Sequence, residues 1–181
     1  GAWGLITKKP GLFAAAVPSG APEGVAALAK WKAFTIEDLL TRANTGPLLA
    51  LAGVQDPGNV GTILRSAEAF GAAGVIVGEG TVSVVNPKVV RASAGSVFRV
   101  AVVQARLADL ITKLKEHGTR LVATSSHKGS ALPESSLDSR IAVFVGGEGA
   151  GISRDLLAEM DEIVVIPHSE RVESLNAGVA A

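Results

Sequence analysis

Short apolar runs recur along the chain from residue 48 onward. They are rich in valine, isoleucine and leucine and alternate little with polar residues, which is typical of strands buried on both faces. The pattern therefore predicts a sheet that is covered on both sides. The predicted strands are Leu48–Val54, Gly74–Val77, Arg99–Val103, Arg120–Ala123, Ile141–Val145 and Ile163–Ile166.

Apolar residues at helical spacing lie between most of these runs. The predicted helices are Asn59–Phe70, Leu107–His117 and Arg154–Met160. A glycine follows each of the first two as a stop signal, and Ser153 is a good N-cap for the third. This alternation predicts an α/β domain with a mainly parallel sheet and helices on both faces. In such sheets ligands bind beyond the carboxyl ends of the strands.

Residues 1–46 differ from the rest of the chain because proline and glycine interrupt them heavily. One short helix is predicted around Glu37–Leu40. The pattern predicts a linker or the remnant of an upstream domain, followed by the α/β domain at residues 47–181. An N-terminal extension of the same domain stays an open alternative. Because Met160 is the one methionine, residue 1 is not expected to be the natural start.

Composition narrows the class of protein. Hydrophobic residues make up 48% of the chain and charged residues 19%, which excludes a disordered protein. The chain has no cysteine, so thiolate metal sites are excluded and a reducing, cytoplasmic compartment is favoured. Aromatic residues are only 4%, which disfavours a base-stacking platform. The net charge is zero, so an RNA partner would need local patches, a second subunit or a further domain. No apolar run is long enough to predict a membrane span.

The loop after the first predicted strand, Gln55–Gly61, contains a proline–glycine turn and leads into a helix. Asn59 is a candidate cap for that helix. Arg65 follows on a helix otherwise made of small and apolar residues. Two interpretations stay open for Arg65: it is a surface arginine, or it faces a phosphate or carboxylate that its planar guanidinium binds bidentately.

Two later loops carry a similar concentration of glycine and polar residues. Gly146–Ser153 places Glu148 among glycines that permit close approach of the backbone to a ligand. It matches neither the phosphate-binding loop nor the dinucleotide fingerprint, which counts against a generic nucleotide-binding enzyme. Pro167–Asn176 offers Ser174 as a cap for the final segment, with Asn176 as a second polar side chain beside it.

The histidines and Ser174 are not predicted to act as metal ligands or as hydrolase catalytic residues. His168 is interpreted as a solvated loop residue, and His117 and His127 as surface residues. No cluster of histidine, cysteine and aspartate surrounds them, so no metal site is predicted. Ser174 lacks the glycine–serine–glycine elbow of a hydrolase nucleophile.

Together the three loops resemble the motifs of the SpoU (TrmH-type) RNA ribose methyltransferases, which belong to the SPOUT superfamily. The matching segments are Asp56–Gly61 through Arg65, Gly146–Ser153, Ile166–Pro167 and Val172–Asn176. Three motifs in the right order are far more specific than any one of them, and the resemblance covers residues 47–181. A weaker similarity at Pro22–Leu28 resembles the end of the RNA-binding domain often fused upstream in this family.

The resemblance implies transfer of a methyl group from S-adenosylmethionine to a ribose 2′-hydroxyl in ribosomal or transfer RNA. Ribosomal RNA is favoured, because the similarity at Pro22–Leu28 is to the upstream domain of ribosomal-RNA members, and a transfer-RNA methyltransferase stays an open alternative. It also implies a homodimer and a C-terminal trefoil knot. No metal is expected to be needed, because the sulfonium already activates the methyl group. The residues at the family's catalytic or substrate positions are Asn59, Arg65, Glu148, Ser174 and Asn176. The residues at its cofactor positions are Gly146, Gly147, Glu148, Ile166 and Leu175.

The role of Arg65 follows from general chemistry. Its counterpart in the family is proposed as the base, but a free guanidinium has a pKa above about 12 and rarely gives up its proton. The alternative is that Arg65 binds an RNA phosphate and orients the hydroxyl. Glu148, Ser174 and the two asparagines would then position Arg65 and the ribose.

The sequence departs from the family pattern in three places. His168 stands where methionine is usual and Glu170 where glycine is usual, so an altered cofactor pocket is expected. The chain ends five residues after Asn176, where relatives continue through a helix that completes the knot and the dimer. An incomplete knot and reduced activity are therefore expected. The alternative function is an RNA-binding protein of the same fold with impaired catalysis.

Overall fold

The computed structural model describes residues 4–6, 26–28, 30–126, 129–132, 140–169, 171 and 174–181. Some residues named above lie outside this part of the chain: Pro22–Val25, His127, Glu170, Val172 and Glu173. Contacts divide the chain into two compact units, residues 1–32 and residues 33–181. In the first unit β1 (Gly4–Ile6) pairs antiparallel with β2 (Ala26–Leu28).

The second unit alternates helices and strands. Its helices are α1 (Ile36–Arg42), α2 (Pro57–Ala69), α3 (Pro87–Ala92), α4 (Leu107–Glu116), α5 (Arg154–Ala158) and α6 (Ala177–Ala180), with a 3-10 turn at Ser96–Phe98. Its strands are β3 (Leu48–Ala52), β4 (Gly74–Val77), β5 (Val102–Gln104), β6 (Arg120–Ser125), β7 (Ser130–Ala131), β8 (Ile141–Gly146) and β9 (Glu162–Val165).

Within the described residues, these seven strands form one sheet in the order β5-β4-β3-β8-β6-β9-β7, and every adjacent pair is parallel. The predicted parallel α/β architecture is confirmed. β3 and β8 lie side by side near the middle, with Ala52 opposite Gly146 at their carboxyl ends. The first two candidate loops therefore leave the sheet next to each other, at a point where the strand order reverses.

The central strands are buried on both faces, as their continuous apolar sequences predict. Ala50 and Ile76 belong to a core cluster that includes Leu110 and other apolar residues of α4. The alternating residue Leu51 is also fully buried and lies outside that cluster, as does Ile63 of α2. Burying one such leucine or isoleucine side chain contributes roughly 1.5–3 kcal/mol, so both layers of helices stabilise the sheet.

Element boundaries differ from prediction where a turn precedes a strand. The strand expected to begin at Arg99 begins instead at Val102, because the amides of Arg99 and Val100 both donate to the carbonyl of Ser96 and close a turn. The short strand β7 and helix α3 were not predicted. Helix α3 carried a signal, since Asn86 caps it through Lys88 N–H and a proline occupies its first turn.

Helix α1 forms at the position expected for the short N-terminal helix. Thr35 and Asp38 make a reciprocal capping box, and Leu39 is buried in the core cluster of the second unit. The division of the chain at residue 46 stays a prediction. None of the helices in the described ranges is long and apolar enough to cross a membrane.

Candidate functional site

The loop after β3 positions Asn59 through a helix cap. Asp56, not Asn59, is the N-cap of α2, and its carboxylate accepts the backbone N–H of Asn59 at 2.8 Å. The predicted cap was therefore wrong, because Pro57 favours the first position inside the helix and so fixes the cap one residue before it. Capping by Asp56 leaves the side chain of Asn59, which is buried, available for a contact across the site.

The loop after β8 is held against the loop after β3 by its glycines. The N–H of Gly147 donates to the carbonyl of Ala52 at 2.9 Å, and a side chain at Gly147 would collide with the carbonyl of Gly53. Gly151 in turn donates to the carbonyl of Gly147 at 3.0 Å and closes the loop. Glycine is required here for close approach, and the result is that Glu148 projects at the carboxyl end of the sheet.

The third segment ends in helix α6, which packs on α2. Asn176, rather than Ser174, is its N-cap and accepts the N–H of Gly178 at 3.0 Å. The predicted cap at Ser174 was wrong by two residues. A side chain at Gly178 would lie 3.3 Å from both Asn59 Oδ1 and Thr62 Cβ, so the small residue lets the two helices approach closely.

Glu148 connects all three segments through one carboxylate oxygen. Its Oε1 accepts Nδ2–H of Asn59 at 3.0 Å and Nδ2–H of Asn176 at 2.7 Å. The backbone N–H of Ala177 lies 3.5 Å from the same atom. Hydrogen bonds from amide groups to a charged carboxylate are stronger than those between neutral groups. This arrangement therefore fixes Glu148, α2 and α6 relative to one another.

A cavity of about 450 Å³ opens beside Glu148, between the carboxyl ends of β6, β8 and β9 and helix α6. Six of the predicted residues line it: Gly146, Gly147, Glu148, Ile166, Ser174 and Leu175. His168 also lines it, which agrees with the expectation that this residue alters the cofactor pocket and not with its interpretation as a solvated loop residue. The cavity mixes backbone amides, hydroxyl groups and apolar side chains and has the size of an ordinary small-molecule site.

Arg65 is the predicted residue that the structure does not bring to this cluster. It lies on α2 about 9 Å along the helix axis from Asn59. The residue is exposed, and within the described part of the chain its guanidinium has no hydrogen-bond or ion-pair partner. It is thus free to bind a group that comes from outside the chain.

A larger cavity of about 620 Å³ lies on the other side of the glycine loop, between that loop and α4. None of the predicted site residues lines it. Its lining includes apolar side chains, such as Leu107 and Ile111, and carboxylates, among them Asp155 and Glu159. Within the described residues, no group of three or more histidine, cysteine, aspartate or glutamate side chains could hold a metal ion.

Comparison with known proteins locates the same region. Residues 46–181 match the sequence profile of the SpoU rRNA Methylase family. The chain is 34% identical over 169 residues to the 23S rRNA (guanosine(2553)-2′-O)-methyltransferase RlmP of Bacillus subtilis (strain 168). That alignment covers 93% of this chain and 66% of the relative, so the chain spans just under two thirds of its length.

Two solved structures share the fold. The AdoMet-bound rRNA methyltransferase from Sinorhizobium meliloti superposes with a TM-score of 0.84 at 27% identity, covering 95% of this chain and 66% of that one. The SpoU methyltransferase AviRb from Streptomyces viridochromogenes, in complex with AdoMet, gives a TM-score of 0.77 at 32% identity and covers 88% of this chain and 62% of that one.

Proposed function

Because the chain belongs to the SpoU rRNA Methylase family, we propose that it transfers a methyl group from S-adenosylmethionine to a ribose 2′-hydroxyl of RNA, ribosomal rather than transfer RNA. The observation that supports this most directly is the convergence of three distant segments on Glu148 beside a cavity of cofactor size. The relative and the two structures named above are themselves rRNA or SpoU methyltransferases.

The residues that line the cavity fit S-adenosylmethionine. Gly146 and Gly147 present backbone where side chains would collide, since a Cβ at Gly146 would lie 2.6 Å from the carbonyl carbon of Gly151. Ile166 and Leu175 supply apolar contact for an adenine ring, and backbone amides and hydroxyls supply donors and acceptors. When bound, the cofactor supplies a methyl group already activated on a sulfonium.

In the proposed reaction the ribose 2′-oxygen would bond to the methyl carbon as the sulfur–methyl bond breaks, leaving S-adenosylhomocysteine, and the hydroxyl proton would pass to solvent water. The task of the chain is to orient that oxygen and to stabilise the charge that develops on it. Arg65 binds a phosphate of the RNA and holds the sugar, a role that suits an exposed guanidinium without an internal partner. Asn59, Glu148, Ser174 and Asn176 position the ribose and the C-terminal segment.

A pair of arginine variants tests this assignment. Arg65→Ala is expected to reduce methyl transfer by at least about 100-fold while S-adenosylmethionine still binds with its normal affinity, because Arg65 does not line the cavity. Arg65→Lys keeps the positive charge but loses the bidentate guanidinium fork, so its rate of methyl transfer is expected to lie between those of the wild type and Arg65→Ala. Arg91, exposed on α3, provides a matched control as Arg91→Ala.

The measurements are calorimetry with S-adenosylmethionine and transfer of labelled methyl to the host's ribosomal and transfer RNA. Binding together with methylation of ribosomal RNA supports the proposal as stated. Methylation of transfer RNA alone would correct the substrate. Cofactor binding without any transfer would favour an RNA-binding protein with impaired catalysis, and absence of cofactor binding would overturn the proposal.

We also propose that two chains pair and that residues 1–46 belong to a linker or an upstream RNA-binding domain. Support for pairing comes from apolar side chains on the packed helices α2 and α6: Phe70, which ends α2, is 86% exposed and Val179 of α6 is 72% exposed. A homodimer interface that includes both helices would remove these side chains from water. The family's C-terminal knot and a cytoplasmic location are part of the same proposal.

A further inference from the structure

His168 has a defined hydrogen-bonding state. Its Nδ1 lies 2.8 Å from the backbone carbonyl oxygen of Ile166. A carbonyl oxygen only accepts, so Nδ1 must carry the hydrogen. In the neutral ring Nε2 is then unprotonated and can only accept a hydrogen bond. Within the described residues, Nε2 has no partner.

The ring is half-buried and lines the 450 Å³ cavity. We propose that His168 is a cofactor-binding residue whose Nε2 accepts a hydrogen bond from S-adenosylmethionine, and that its protonation selectively weakens binding of the sulfonium cofactor relative to the demethylated product. The inference rests on the proposed function, because it assigns S-adenosylmethionine to this cavity.

The charges of the two ligands provide the physical reason. S-adenosylmethionine carries a fixed positive charge on sulfur, whereas S-adenosylhomocysteine has a neutral thioether at the same position. Protonation of His168 removes the acceptor from Nε2 and adds a positive charge to the wall of the cavity. The loss of the acceptor affects both ligands, but charge repulsion affects the sulfonium most, so the preference between the two ligands changes with pH.

The pH effect of His168 can be distinguished from that of the other ionisable groups near the cavity. The carboxyl end of β6 contributes hydroxyl groups to the cavity wall, and α5 and α6 contribute apolar side chains. Among the described residues that line the cavity, Glu148 is the other ionisable side chain. On its own segment His168 is followed by three charged residues, Glu170, Arg171 and Glu173. Arg171 is exposed and does not line the cavity, and the two glutamates lie outside the described residues. Any effect of these groups on the cofactor persists when His168 is replaced.

The test compares the wild-type chain with His168→Met, which has a similar volume and does not titrate. Calorimetry measures the affinities for S-adenosylmethionine and S-adenosylhomocysteine at about pH 8 and about pH 5.5, on either side of the usual histidine range. The ratio of the two affinities is expected to shift by about tenfold toward the product at the lower pH in the wild type. His168→Met is expected to remove that shift. His117→Met, at the exposed end of α4, is the matched control and should keep it.

A nitrogen NMR measurement gives a second readout that needs no ligand. At about pH 8 the His168 ring is expected to show the Nδ1–H tautomer, and the Nε2–H tautomer would overturn the inference. A wild-type affinity ratio that is independent of pH, or a shift that survives in His168→Met, would overturn it as well. If S-adenosylmethionine does not bind at either pH, the proposed function itself fails, and this outcome is distinct from binding without the pH-dependent preference.

Discussion

Asn176→Asp is the substitution that most sharply tests how the site is assembled. The two side chains have nearly the same shape, and aspartate caps a helix as well as asparagine does, so the bond to Gly178 N–H is retained. What changes is the contact with Glu148, where the Nδ2 donor that lies 2.7 Å from Oε1 becomes a second carboxylate oxygen. A hydrogen bond is replaced by repulsion between like charges.

The magnitude follows from two contributions. The lost bond to a charged acceptor costs about 1–1.5 kcal/mol, toward the lower end for such bonds because both residues are exposed. Two carboxylate charges about 3 Å apart repel by about 1.5–3 kcal/mol at the high effective dielectric of an exposed site. We expect the docked position of α6 to be destabilised by about 3 kcal/mol in total.

Docking of α6 matters for the cavity because Ala177 and Ala180 line it. The affinity for S-adenosylmethionine is therefore expected to fall by about 100-fold in Asn176→Asp, as measured by calorimetry near neutral pH. The amides of Val179 and Ala180, which donate to the carbonyl of Asn176, are expected to exchange with solvent faster.

Two further variants make the result decisive. Asn86→Asp changes another asparagine N-cap, that of α3, and is expected to leave the affinity unchanged. Adding Glu148→Gln to Asn176→Asp restores one donor and one acceptor across the contact and should recover at least half of the lost free energy. An Asn176→Asp chain that binds the cofactor within about twofold of wild type would refute the geometry described for Glu148.

Two other predictions concern the scaffold around the site. Gly147→Ala is expected to lower the free energy of unfolding by about 1–3 kcal/mol, measured with urea, because the added methyl group meets the carbonyl of Gly53. Gly149→Ala is the control, since a methyl group at residue 149 meets no other atom, and its stability should stay near that of the wild type. The guanidinium of Arg99 bonds both carboxylate oxygens of Glu68 and lowers the pKa of that carboxyl to about 2. Arg99→Gln should return the pKa of Glu68 toward its ordinary value of 4.5, as measured by a carbon NMR titration of that carboxyl. A carboxyl whose pKa is lower in the folded than in the unfolded chain stabilises the folded state when the pH is above its unfolded pKa. The contribution of the Glu68–Arg99 pair to stability is therefore present above about pH 4.5 and is lost as the pH falls toward 2. An unchanged Glu68 titration in the variant would rule out Arg99 as the cause.

The sequence by itself determined the sheet and the location of the chemistry. Continuous apolar runs such as Leu48–Ala52 and Gly74–Val77 need cover on both faces, and helices such as Leu107–Glu116 carry the apolar stripe that provides it. Because parallel strands place their carboxyl ends at one edge, glycine-rich loops after the strands indicated where a ligand would bind. These signals are local and can be read along the chain.

Helix caps were predicted less well because several residues compete for each one. Asp56 and Asn59 can both cap α2, and Ser174 and Asn176 can both cap α6. In each case the choice depends on which backbone N–H groups the chain leaves within reach. At α2 the proline at residue 57 was a sequence signal that could have decided the matter.

Only the tertiary structure decided which polar groups meet. Glu148 lies 89 residues from Asn59 and 28 from Asn176, and their contact depends on β8 pairing with β3 and on α6 packing on α2. The state of the His168 ring likewise depends on the position of one backbone carbonyl in the folded chain. Periodicity records which face of an element is buried, but strand order and the approach of separate loops arise from the packing of the whole domain, and these set the chemistry of the site.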